Sequence, residues 1–108
     1  MTTKQIDTRT QQAILNDQFR KNSIRDIYFT CGAQSLEDQE GLMRAVREFD
    51  DFSEGNDPYK ERDFGRTEWK GDKIFWKIDY YNDTLSCYED PLSGTCRRVM
   101  TIMLAEEY

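Results

Sequence analysis

The sequence predicts a two-layer α+β domain of about four mostly antiparallel strands covered by two helices, in the order α-β-α-β-β-β. Three observations predict it. Two stretches place apolar residues at helical spacing. Other stretches alternate β-forming residues between two faces. The chain has 108 residues, room for one hydrophobic core but not two, so residues 1–108 are read as a single domain.

The elements follow in order. Residues 7–21 contain no Gly or Pro, and Ile6, Ala13, Ile14 and Phe19 approximate one stripe, which predicts a first helix. Ile27, Phe29 and Cys31 then alternate with Tyr28 and Thr30 before Gly32, which predicts a strand at about 24–31. Ser35 is a good N-cap, with Asp38 completing an approximate capping box and Glu37 favoured by the helix dipole. Leu36, Leu42, Met43, Val46 and Phe49 continue as the apolar stripe of a second helix. Gly41 inside it costs up to about 1 kcal/mol against Ala, so something is expected to pack closely there.

Residues 50–63 form an acidic loop in which Asn56-Asp57-Pro58 marks a turn. The period then becomes two. Phe64 to Trp69 reads as a strand, Lys70-Gly71-Asp72-Lys73 as a hairpin turn, and Ile74 to Tyr81 as a second strand. Ile74, Trp76, Ile78 and Tyr80 share one face of it; Phe75, Lys77, Asp79 and Tyr81 share the other. A loop at 83–95, with Pro91 and Gly94, precedes a last strand near 96–104.

Composition narrows the chemistry. Histidine is absent, which removes imidazole-activated nucleophiles and imidazole metal ligands. Cys31, Cys87 and Cys96 have no CxxC spacing and read as reduced thiols, with a Cys87–Cys96 pairing across the loop as the alternative. No apolar run approaches the roughly 18 residues of a membrane span, and the first residues show no leader pattern, so a cytoplasmic location is expected. The net charge is −6. Residues 35–65 hold ten Asp/Glu against four Lys/Arg, while residues 1–34 are slightly basic through Arg9, Arg20, Lys21 and Arg25. A net-negative surface disfavours direct contact with nucleic acid or anionic lipid.

Several stretches resemble one family. They are Ile14-Leu15-Asn16-Asp17-Gln18-Phe19-Arg20, Phe49-Asp50-Asp51-Phe52, Asn56-Asp57-Pro58-Tyr59, Asp63-Phe64-Gly65, Phe75-Trp76-Lys77-Ile78-Asp79-Tyr80-Tyr81 and the run from Val99 to Tyr108. Together they are similar to a family of small bacterial proteins, common in alphaproteobacteria and on plasmids, described as a domain of unknown function. The resemblance implies a bacterial, often mobile-element setting and brings no activity, cofactor or catalytic residue with it. Many members have Gly-Glu-His-Asp after Asn-Asp-Pro-Tyr, where this chain has Lys60-Glu61-Arg62-Asp63. Arg62 supplies charge and hydrogen-bond donors but no titratable base.

Four kinds of site were weighed. Asp50, Gly55 and Glu61 fall at positions 1, 6 and 12 of a calcium-loop pattern, but Phe52 and Glu54 break it, so no metal is expected. Asp79, among aromatic residues, is the candidate acid or base of a small enzyme that also draws on Tyr80 and Tyr81; pairing with Lys77 is the plainer reading. With no phosphate loop, dinucleotide fingerprint or nucleophile elbow, neither an enzyme nor a cofactor is expected. Glu37 with Glu40, and Glu48 with Asp51, have the spacing that puts carboxylates about 5–6 Å apart on a helix, near phosphate-like separation. Arg44 and Arg47 interrupt that helix with positive charge. Tyr59, Tyr80, Tyr81, Tyr88 and Tyr108 form a candidate aromatic contact set.

The leading expectation is a non-enzymatic binding protein. Glu37, Glu40, Glu48, Asp50, Asp51, Glu54 and Asp57 supply charge and Tyr59 an anchor against the basic surface of a bacterial nucleic-acid-handling complex, such as a restriction or CRISPR effector. The rivals are the Asp79-centred enzyme and a structural or regulatory partner that completes another protein's core. A homo-oligomer is compatible with each.

Overall fold

The computed structural model describes residues 8–108. Its elements are α1 (Thr8–Asn22), β1 (Ile27–Phe29), α2 (Cys31–Gln34), α3 (Gln39–Glu48), β2 (Phe64–Trp69), β3 (Asp72–Tyr81), β4 (Arg97–Leu104) and a 3-10 turn, Ala105–Glu107. The four strands form one sheet in the order β1-β4-β3-β2. β4 pairs antiparallel with β3 and β3 with β2, whereas β1 runs parallel to β4. The fold is α+β, with its antiparallel part at the C-terminal end.

Register assigns the faces. Trp76 lies opposite Gly65 and Ile102, and Ile78 opposite Met100. With Ile74, these residues meet Leu42 and Val46 of α3, Phe49 just after it and Ala33 of α2 in the core. The rings of Phe49 and Phe52 stand edge-on to Trp76 at 5.5 and 6.2 Å, a favoured geometry for quadrupolar rings. Gly65 is required mid-strand, because a Cβ there would lie 2.3 Å from Trp76 Nε1. On the opposite face Phe64, Phe75 and Tyr108 pack together at 5.3–5.6 Å.

The second predicted helix is really two elements. Ser35 is the C-cap of α2, not the N-cap of α3. The cap of α3 is Asp38, in the left-handed region at φ 57°, whose carboxylate accepts from Gly41 N at 3.0 Å. The close packing expected at Gly41 is present: a Cβ there would lie 2.8 Å from the Trp69 ring. The first strand is shorter than expected because both ends are claimed by other bonds. Asp26 turns left-handed (φ 60°) and binds Arg97 through two nitrogens, while Thr30 caps α2. The β2–β3 turn is Lys70-Gly71, both at positive φ, the two-residue geometry that matches strand twist.

α1 reverses its expected polarity. Its buried positions are Gln12, Asn16 and Arg20, four residues apart, while Ile14 and Leu15 are exposed. Of the expected stripe within the described residues, Phe19 packs against the core, Ala13 is half-buried and Ile14 is exposed. Ile6, placed on that stripe, lies outside the described residues, as does the side chain of Arg9.

Candidate functional site

Glu37 lies in the bend before α3, Glu40 in its first turn, Glu48 at its last residue, and Asp50, Asp51 and Glu54 in the following loop. All six are exposed. Among the described residues none joins an ion pair, whereas Asp17, Asp26, Asp38 and Asp79 do. Of the basic residues on α3, Arg47 turns away to donate to the Ser23 carbonyl at 2.8 Å. The helical carboxylate spacing does not survive. Glu37 precedes α3 and Asp51 follows it, so neither expected pair lies on one helix.

The loop is held from two sides. Phe52 packs edge-on against Phe49 at 5.1 Å. Asp57 is buried, and its carboxylate accepts from the backbone N–H of Glu61 at 3.1 Å and of Arg62 at 3.2 Å. Asp57 is thus removed from the surface set: it ties the loop and offers a partner no charge. The Asn56-Asp57-Pro58 turn was the available signal, since an Asp at a turn commonly bonds backbone a few residues on. Tyr59, next to it, is 68% exposed.

A second cluster escaped the sequence reading. The Tyr80 hydroxyl accepts from Gln12 and Asn16, each at 2.8 Å, and donates to Asp63 at 2.7 Å. Gln12 also donates to Glu61, and Asn16 accepts from Arg98 at 2.7 Å. Burial pushes the Asp63 carboxyl above its ordinary value, and burial likewise pushes the Tyr80 phenol up. With two bonds accepted and one donated, that hydroxyl has no capacity left for a substrate. Nearby, Arg20 is fully buried. It donates to Asp17 and to the Val46 and Phe49 carbonyls, and its guanidinium lies over the Phe52 and Trp76 rings at 5.0 and 5.1 Å. Arg62 joins the other oxygen of Asp17 at 2.7 Å.

Asp79 pairs with Lys77 at 3.2 Å on the sheet face away from the helices, as the plainer reading had it. Cys31, Cys87 and Cys96 are all unpaired, so the Cys87–Cys96 bridge is not formed. Among the described residues no group of three or more Cys, Asp or Glu is disposed to hold a metal ion.

The motif blocks that carry the family resemblance meet at this cluster: Asn16, Asp17 and Arg20 from one, Asp57, Asp63 and Tyr80 from three others. The family model described as protein of unknown function, DUF3768, matches residues 29–107. The chain belongs to the DUF3768 family. No curated protein and no solved structure matches it. The matched DUF3768 segment contains β2, β3, β4, α2, α3 and the acidic loop but only Phe29 of β1, while α1 lies before it and is joined to it by the Gln12, Asn16 and Arg20 bonds. No helix among the described residues is long and apolar enough to cross a membrane.

Proposed function

We propose that this DUF3768 protein is a non-enzymatic binding protein whose acidic segment docks on the basic surface of a bacterial nucleic-acid-handling complex. The class of partner that fits is a restriction or CRISPR effector, blocked where it would hold phosphate. One observation carries the reading: Glu37, Glu40, Glu48, Asp50, Asp51 and Glu54 are exposed with no cation paired to them among the described residues. Their negative charge is available to an outside partner, and the loop that bears half of them is pinned by Phe52 and Asp57. A pinned loop loses less freedom on docking than a slack one. Tyr59 supplies an exposed aromatic of the kind enriched at interface hot spots. The bacterial mobile-element setting implied by the resemblance suits a counter-defence role.

The test is binding to purified restriction and CRISPR effector complexes at low and high salt, with the wild type and a Glu48→Gln/Asp50→Asn/Asp51→Asn/Glu54→Gln variant. The expected result is fast association that weakens with salt and is lost in the variant. Binding indifferent to both salt and the substitutions would refute the charge-based reading.

A further inference from the structure

Beside the acidic loop, an open groove of about 410 Å³ runs between α1 and residues 52–62, a volume within the roughly 300–1,000 Å³ of small-molecule sites. Ala13, Ile14 and Phe52 supply its apolar lining, and Asp17, Asp57, Lys60 and Arg62 its charged groups. We propose that this groove binds a small organic anion, a carboxylate or phosphate monoester carried on an apolar body.

The inference rests on which bonding capacity is already used. Asp17 is shared by Arg20 and Arg62. Asp57, at the groove's floor, holds the backbone N–H groups of Glu61 and Arg62. Glu61 turns to Gln12 instead of the groove. Both lining carboxylates are therefore engaged. The donors are not. Arg62 uses one terminal nitrogen on Asp17, lies over the Phe52 ring at 4.5 Å, and has no partner for its Nε or second terminal nitrogen among the described residues. Its side chain is 42% exposed. The Lys60 ammonium makes no hydrogen bond or ion pair among the described residues. The lining carboxylates are satisfied while Lys60 and Arg62 keep free donors among the described residues, so the unmet demand is for an anionic acceptor.

The backbone points the same way. Lys60 and Arg62 both adopt left-handed conformations, φ 57° and 55°. That conformation is unfavourable for residues with a Cβ, and such strain concentrates at binding sites. Here Asp57 enforces it by gathering the N–H groups of residues 61 and 62. The guanidinium then lies over an aromatic face, an arrangement suited to receive a planar or tetrahedral anion at its edge.

The experiment is a titration of ¹⁵N-labelled full chain with phenyl phosphate and with benzoate, followed by NMR. Inorganic phosphate and benzyl alcohol serve as controls for charge alone and ring alone. Saturable shifts confined to amides 13–17, 52 and 57–62 are expected from one or both ring-bearing anions, and which binds identifies the acid group. Lys60→Gln, a side chain with no structural partner, should weaken that binding about tenfold while leaving the spectrum folded. Arg62→Gln should do the same or more; should it unfold the loop, Lys60→Gln decides alone. Equal binding of benzyl alcohol, inorganic phosphate as strong as phenyl phosphate, shifts mapping elsewhere, no shifts, or a Lys60→Gln protein that binds like wild type would each overturn the proposal. The acidic docking surface is untouched by Lys60→Gln, so the two readings fail independently.

Discussion

Asp63 accepts the Tyr80 proton in a half-buried setting that disfavours its charge. Burial raises its folded pKa above the ordinary 3.8. As pH climbs through that value the unfolded chain releases its proton first, so the native state holds more protons and stability from this group declines. The contribution is fully present below the ordinary value and is lost as pH passes the raised one. Asp63→Asn keeps an acceptor for Tyr80 and removes the ionisation. Its stability relative to wild type should therefore improve as pH rises from about 3.5 to 8. Urea unfolding of both proteins across that range measures the difference; a flat difference, or one of opposite slope, contradicts the assignment. Asp26 and Glu107, whose pKa values are lowered by hydrogen bonds from Arg97 and Thr30, work in the other direction but are common to both proteins.

Gly41 separates propensity from packing. In a helix interior Ala is worth about 1 kcal/mol more than Gly. An alanine Cβ at 41 would stand 2.3 Å from the Asp38 carboxylate and 2.8 Å from Trp69. It would displace the cap of α3, worth about 1 kcal/mol, and force Trp69 aside at about 1–3 kcal/mol. Packing wins, and Gly41→Ala should lose about 1–3 kcal/mol in a urea titration. A stabilised variant would show that the cap and ring yield freely.

At the level of elements, α1 is held by polar bonds on its inner face. Asn16 serves the Glu61 carbonyl, Tyr80 and Arg98 together. Asn16→Ala should cost about 2–3 kcal/mol, since it strands buried partners. Leu15→Lys should stay within about 0.5 kcal/mol, because the side chain already meets solvent. Chemical denaturation of the two variants checks the pair, and the reverse ranking would mean that α1 packs by its apolar side. β2, β3 and β4 were legible because alternation and the Lys70-Gly71 turn are local signals. So was most of α3, whose stripe is apolar throughout. The buried polar face of α1 was missed because its partners lie 26 to 82 residues away, and no window of sequence shows that a buried amide will be satisfied. The left-handed Asp38 cap was hidden for a related reason: Ser35 offers the commoner capping pattern, but β1 and Thr30 had already begun another helix. The same blindness put Asp57 with the exposed carboxylates.

Over the whole molecule, charge is segregated in a way that folding alone does not require. The middle third carries the excess of the net −6. Glu37, Glu40, Glu48, Asp50, Asp51 and Glu54 lack ion pairs among the described residues, whereas Arg97–Asp26, Lys77–Asp79 and Lys70–Asp38 neutralise one another. Like charges left unneutralised repel across the surface and weigh against the compact state. If that segment serves a partner, it does so at the expense of stability, as binding surfaces commonly do. The Glu48→Gln/Asp50→Asn/Asp51→Asn/Glu54→Gln protein should then melt a few degrees higher than wild type at low ionic strength. The gap should close at high salt, where the repulsion is screened over a few ångströms. Thermal unfolding of both proteins at the two ionic strengths makes the comparison. A gap that persists in high salt would trace the effect to local loop geometry, and a lower melting point at low salt would mean that these carboxylates stabilise the fold they were thought to burden.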